Sequence, residues 1–120
     1  MDNNSQTIDY SNLYTVANND EDFIKDLIKI FLDQIPVFIR NLNQQFTEKH
    51  FEKLAREAHT AKSSVMIFGM TNAGLLLNKI ELWAENEEID EIGPALETVI
   101  NDLNLAMDEL TFALKTEKFK

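Results

Sequence analysis

Apolar side chains recur along this chain at intervals of three and four, the repeat that gathers them on one face of an α-helix. Phe23, Leu27, Ile30, Phe31, Gln34, Phe38, Leu42 and Phe46 trace the first long stripe. Phe51, Leu54, Ala58, Ala61, Val65 and Phe68 trace a second, at 3-4-3-4-3 spacing. A third carries Ala73, Leu76, Leu77, Ile80 and Ala84, widened by Leu75 and Trp83. Ile89, Ile92, Leu96, Val99, Leu103, Ala106, Leu110 and Leu114 form the last. Alternation with period two, the mark of a strand, is hard to find.

The residues between the stripes place the helix ends. Asn19, Asp20, Glu21 and Asp22 suit a capped N-terminus that complements the helix dipole. Pro36 falls inside the first stripe without breaking its spacing, which predicts a bend and not a stop. Gly69 is placed to end the second helix, and Thr71 or Asn72 to cap the third. Glu85 to Glu88 read as an acidic connection. Pro94, after Gly93, is tolerated only near the start of the last helix. A short helix is predicted around Tyr10 to Ala17, where Tyr10, Leu13, Tyr14 and Ala17 share a face.

Four amphipathic helices with short connections bury their stripes best as an antiparallel up-down-up-down bundle. The expected architecture is therefore all-α: a four-helix bundle with a short extra N-terminal helix, over residues 10–118, behind a flexible leader at 1–9.

Composition narrows the partners. The 120 residues suit one domain. Twenty-one acidic against eleven basic residues give a formal charge of −10, which disfavours nucleic acid and anionic membrane surfaces. Cysteine is absent, so disulfides and thiolate metal sites are excluded. No run approaches the roughly 20 apolar residues that span a bilayer, and the N-terminus lacks a secretory pattern. The expected location is the cytoplasm and the expected state a monomer.

One residue stands apart from the core pattern. His59 follows the core residue Ala58 by about 100° of helix rotation, at the edge of its stripe. Arg56, Lys62 and Ser63 share its face at helical spacing. Most histidines so placed are merely solvated. Here small neighbours, Ala55 and Ser63, leave the ring reachable. Two cations could also hold a phosphoryl group of about −2 charge through charge-assisted hydrogen bonds.

The run His59-Thr60-Ala61-Lys62-Ser63-Ser64-Val65-Met66-Ile67-Phe68-Gly69 resembles the signature of histidine-containing phosphotransfer (HPt) domains, the relay modules of multistep phosphorelays. Histidine, lysine three later, two small residues and glycine ten after the histidine match that signature. Ser63 stands where the family usually has glycine, and Ala61 where it usually has a larger aliphatic residue. The resemblance extends across almost the whole chain, including the following helix with Leu76 and Glu81.

The resemblance implies that His59 accepts a phosphoryl group from a receiver-domain aspartate and passes it to another. Lys62 is the first candidate for contacting its oxygens, with Arg56 and Ser63 nearby, Met66 on the docking rim and Gly69 as a structural element. Partners would be receiver domains of hybrid histidine kinases and response regulators. No cofactor is expected, since Mg²⁺ belongs to the receiver, and no kinase or phosphatase activity.

Other chemistries fare worse. His50 and His59 are nine apart, on opposite sides of any shared helix, and no Glu-x-x-His pair occurs, so a metal site lacks ligands. His50 is expected to be a solvated or capping residue. A nucleophilic Ser63 would lack backbone donors in mid-helix. The alternative from another class is a helical adaptor that binds a signalling partner without being phosphorylated.

Overall fold

The computed structural model describes residues 7–117. Five α-helices follow one another: α1 (Tyr10–Val16), α2 (Glu21–Thr47), α3 (Phe51–Ile67), α4 (Thr71–Glu85) and α5 (Ile92–Thr116). A single 3₁₀ turn, Ile89–Glu91, leads into α5. Each of α2 to α5 packs on its neighbour in sequence, and α5 closes the ring against α2. α1 lies outside this ring, touching α2 and α3.

The core is apolar throughout; among the described residues no polar or charged side chain is buried. α2 begins where Asp20 accepts from the N–H groups of Asp22 and Phe23 at 3.0 and 3.2 Å. It then runs through Pro36 without a stop. That proline is exposed, and one missing backbone donor is tolerated because the core face of α2 is continuous on either side.

The buried face of α2 differs from the stripe read in the sequence. Ile24, Ile28, Phe31, Ile35, Phe38 and Leu42 are buried, whereas Phe23 and Ile30 are exposed. Two apolar series at helical spacing overlap in this segment. The aliphatic one continues over the full helix and wins the core, leaving Phe23, Ile30 and Val37, seven apart, as an exposed ridge.

Smaller differences follow from packing. Leu75 is exposed and does not widen the core face of α4. Neither Thr71 nor Asn72 caps that helix: the N-cap position is Met70, with no side-chain bond. Met70 is itself buried, so the chain enters α4 through a core contact. Residues 7–9, expected in the flexible leader, are held in place, while 1–6 lie outside the described residues. Glu109 on α5 accepts from the N–H of Thr7 at 2.7 Å and of Ile8 at 3.4 Å. Ile8 is buried, and the N–H of Asp9 donates to the carbonyl of Phe68 at 3.0 Å. Asp9 in turn caps α1, where two hydrogen bonds from Ser11 hold its carboxyl below the ordinary value.

The turn between α3 and α4 has no slack. Met70 N–H donates to Val65 O at 3.0 Å and Gly69 N–H to Met66 O at 3.1 Å, the paired bonds of a Schellman ending. Gly69 adopts φ of 68°, and a Cβ there would lie 2.4 Å from Asp9 Cβ and 2.9 Å from its carbonyl oxygen. Both constraints require glycine. Gly69→Ala should therefore lower stability by about 1–3 kcal/mol, read as a lower urea midpoint. An unchanged midpoint would mean that the N-terminal segment does not press on this turn.

A second test concerns pH. Burial and the facing Glu109 push the Tyr10 phenol from 10.0 up to about 12. The folded chain thus keeps a proton that the unfolded chain loses first. Stability should fall as pH rises from about 10 to about 12, and Tyr10→Phe should show a shallower fall in urea midpoint over that window.

Candidate functional site

α3 and α4 form an antiparallel hairpin, and their seam builds the site. Pairs of facing residues are centred on Met70: Met66 with Gly74, Lys62 with Asn78, His59 with Glu81. At the first pair, a Cβ on Gly74 would lie 2.3 Å from Met66 Sδ, so the thioether rests in the space that glycine leaves. At the second, Lys62 Nζ donates to Asn78 Oδ1 at 3.0 Å. At the third, His59 Nδ1 is 3.2 Å from Glu81 Oε1.

Glu81 is shared. The same Oε1 lies 3.4 Å from Lys62 Nζ, so one carboxylate oxygen serves both the imidazole and the ammonium. The side chains of Glu81 and Lys62 are 19 % and 26 % exposed, while that of His59 is 60 % exposed. A carboxylate only accepts, so in the neutral ring the proton sits on Nδ1 and the lone pair on Nε2. The nitrogen left free of intramolecular bonding is therefore the nucleophilic one.

The helix beneath His59 is held at its far end. Asn12 of α1 donates through Nδ2 to the carbonyls of Met66 and Ile67, both at 2.9 Å, satisfying acceptors that a helix C-terminus leaves open. On the opposite side of α3, Ser64 Oγ donates to Gln34 Oε1 at 3.2 Å and Asn41 Nδ2 donates to Glu57 Oε2 at 3.3 Å. Those bonds pin α3 to α2.

The residues singled out in the sequence do not all converge. Lys62 reaches the His59 neighbourhood through Glu81. Ser63 is exposed one turn from His59, and its hydroxyl donates back to the His59 carbonyl at 3.4 Å. Arg56 is not drawn towards the imidazole: its guanidinium lies 3.8 Å from Glu52, a turn further from His59. Ala55 is buried, so it faces the core and does not flank the ring. Met66 is 44 % exposed, and Leu75 and Leu82 of α4 are exposed as well. Gly69 ends α3. His50 occupies the N-cap position of α3 without a side-chain cap bond; its ring lies 3.2 Å from Gln45 Oε1 and 3.4 Å from Glu48 Oε1.

Asn78, and the sharing of Glu81 between His59 and Lys62, were missed in the sequence. Their signal was positional: in a tight helical hairpin, residues equidistant from the turn face each other.

Residues 26–112 match the Hpt domain family. The chain belongs to it. A curated relative, the phosphorelay intermediate protein YPD1 of Candida albicans, is 22 % identical over 105 residues, covering 83 % of this chain. The chain spans 57 % of that relative's length. Among solved structures, the HPT domain of a Shewanella Hpt sensor hybrid histidine kinase superposes with a TM-score of 0.82 at 14 % identity, covering 92 % of this chain and 95 % of that one. The bundle is thus the Hpt fold, and the family match includes all of α3 and α4. α1 and the first residues of α2 lie before it. Among the described residues, no helix is long and apolar enough to cross a membrane, and no group of three or more His, Cys, Asp or Glu is placed to hold a metal.

Proposed function

We propose that this protein is a phosphoryl carrier in a two-component phosphorelay, and that His59 Nε2 is the atom that carries the group. The observation behind this reading is the seam itself. It presents an exposed imidazole whose other nitrogen is occupied by a carboxylate. Membership of the Hpt domain family and the likeness to a phosphorelay intermediate support the same reading.

In the reaction, the Nε2 lone pair attacks the phosphorus of a receiver's aspartyl phosphate. The P–N bond forms as the P–O bond breaks, and the aspartate leaves as a carboxylate. The reverse step delivers the group to a second receiver. Because His59 stands on a helix fixed to two neighbours, it meets the phosphorus in a set orientation, which supplies much of what phosphoryl transfer requires. Lys62, one turn from His59, contacts the phosphoryl oxygens once the group arrives. Ser63 offers a hydroxyl beside it. Arg56 must leave Glu52 to contribute.

The partners are receiver domains of hybrid kinases and response regulators. Met66, exposed on the His59 face of α3, supplies an apolar contact for transient docking. Mg²⁺ enters with the receiver, and this chain contributes neither a metal site nor kinase or phosphatase activity. It acts as a monomer in the cytoplasm, and nucleic acid is not a partner.

Incubation with a phosphorylated receiver should give an acid-labile, alkali-stable label on the wild type and none on His59→Gln. Absence of label from a panel of receivers would favour an unphosphorylated adaptor, and label on the variant would move the acceptor elsewhere. Lys62→Ala should slow transfer by roughly tenfold or more, as expected for loss of one charge-assisted contact, with the helical circular dichroism unchanged. An equal rate would remove Lys62 from the phosphoryl site.

A further inference from the structure

We propose that His50 is a second phosphoryl-accepting histidine, loaded at Nε2 by small phosphoryl donors such as phosphoramidates and acyl phosphates. The site stands apart from His59 and does not depend on the carrier reading.

The ending of α2 builds it. His50 N–H donates to Gln45 O at 2.8 Å and Lys49 N–H to Phe46 O at 3.1 Å, while Lys49 takes the left-handed conformation at φ of 61°. This reversal brings the imidazole of His50 back onto the last turn of α2. Its Nδ1 lies 3.2 Å from Gln45 Oε1 and 3.4 Å from Glu48 Oε1. Glu48 is itself held, because its Oε2 accepts from Gln44 Nε2 at 3.3 Å. Two acceptors on Nδ1 keep the proton there and leave the lone pair on Nε2. The side chain is 48 % exposed, and Nε2 has no hydrogen-bond partner among the described residues.

The charges around the ring favour an incoming phosphoryl group. Glu52 lies 3.8 Å from the Arg56 guanidinium, which offsets its charge. Glu48 faces Nδ1, on the side of the ring away from the lone pair. Lys49 and Lys53 are exposed and make no ion pair among the described residues. Lys53 is the third residue of α3, a position from which a side chain reaches back over the N-cap residue, here His50. No side-chain bond caps α3, so the positive end of its dipole faces the same point.

With phosphoramidate, the Nε2 lone pair attacks phosphorus and a new P–N bond forms. The donor's own P–N bond breaks, and ammonia leaves with its electron pair. An acyl phosphate loses its carboxylate in the same way. The ring becomes cationic with Nδ1–H facing Glu48, so no proton has to be lost.

Receivers are excluded by position. His50 and His59 are nine residues apart, about 13 Å along α3 and about half a turn round it. A receiver seated at His59 therefore directs its aspartate away from His50. From Thr47 to Lys53 only partly buried Phe51 is apolar, so nothing around His50 forms an apolar seat for a protein. A small donor needs none.

The test counts phosphoryl groups. Wild type, His59→Gln, His50→Gln and the double variant are incubated with phosphoramidate and followed by intact mass and ³¹P NMR. Wild type should take two groups, each single variant one, and the double variant none. In His59→Gln the label should sit on Nε2 of His50. It should load severalfold faster there than in a synthetic peptide of residues 45–56, which lacks the fixed reversal after α2. Lys53→Ala in that background should slow loading by about twofold to fivefold, the effect of one exposed charge contact. A phosphorylated receiver should leave His59→Gln unlabelled.

An unlabelled His59→Gln would overturn the proposal. So would loading no faster than in the peptide, which would make His50 an ordinary solvated imidazole. Label on His50 with none on His59 from either donor would leave this site standing and overturn the carrier reading instead.

Discussion

The two backbone hydrogen bonds that close α3 onto α4 set the geometry on which the site depends. The bonds from Met70 to Val65 and from Gly69 to Met66 leave one geometry for the turn, and that geometry sets which residues of the two helices meet. Register in a helical hairpin is discrete. Moving α4 by one position would bring Ile80 or Leu82 opposite His59 and replace a carboxylate with hydrocarbon. Buried Phe68, stacked on Phe31 at 4.4 Å between ring centres, and buried Met70 tie the same turn to the core. The imidazole's protonation pattern is therefore a downstream result of a turn and a few apolar contacts, none of which touches the ring.

Charge is distributed with the same economy. The chain carries ten net negative charges, yet the seam beside His59 contains one carboxylate facing one ammonium and one imidazole. A strongly electropositive site would hold a phosphoryl group tightly and release it slowly. A balanced one suits a carrier, whose task is to bind an activated group without trapping it. Exposure divides in the same way, with the imidazole accessible and its two charged neighbours largely sheltered. Sheltering strengthens their interaction, because water screens it less.

Much of this was legible in the sequence. Helical spacing located all five helices because apolar periodicity is a direct image of burial, and α3, α4 and α5 have one dominant apolar face each. α2 misled because it has two. Phe23 and Ile30 obey the same spacing as Ile24 and Ile28, and only contact with the other helices selects between them. Asp20 and Gly69 were readable because each does a local job within a few residues. His59 and Lys62 were readable because they sit one turn apart on the same helix. Asn78 and the fork at Glu81 were not, since their meaning depends on residues 16 to 22 positions away across a turn. Arg56 is a related case: spacing names the neighbours available on a face, and its guanidinium lies 3.8 Å from Glu52, away from the ring.

The N-terminal segment supplies a different lesson. The family match begins at residue 26. Yet the last carbonyls of the helix that carries His59 are closed by Asn12, and the turn behind them is packed by Asp9. Residues that precede the family match thus hold the helix that carries His59, so a change at Asp9 or Asn12 reaches that helix without touching the ring.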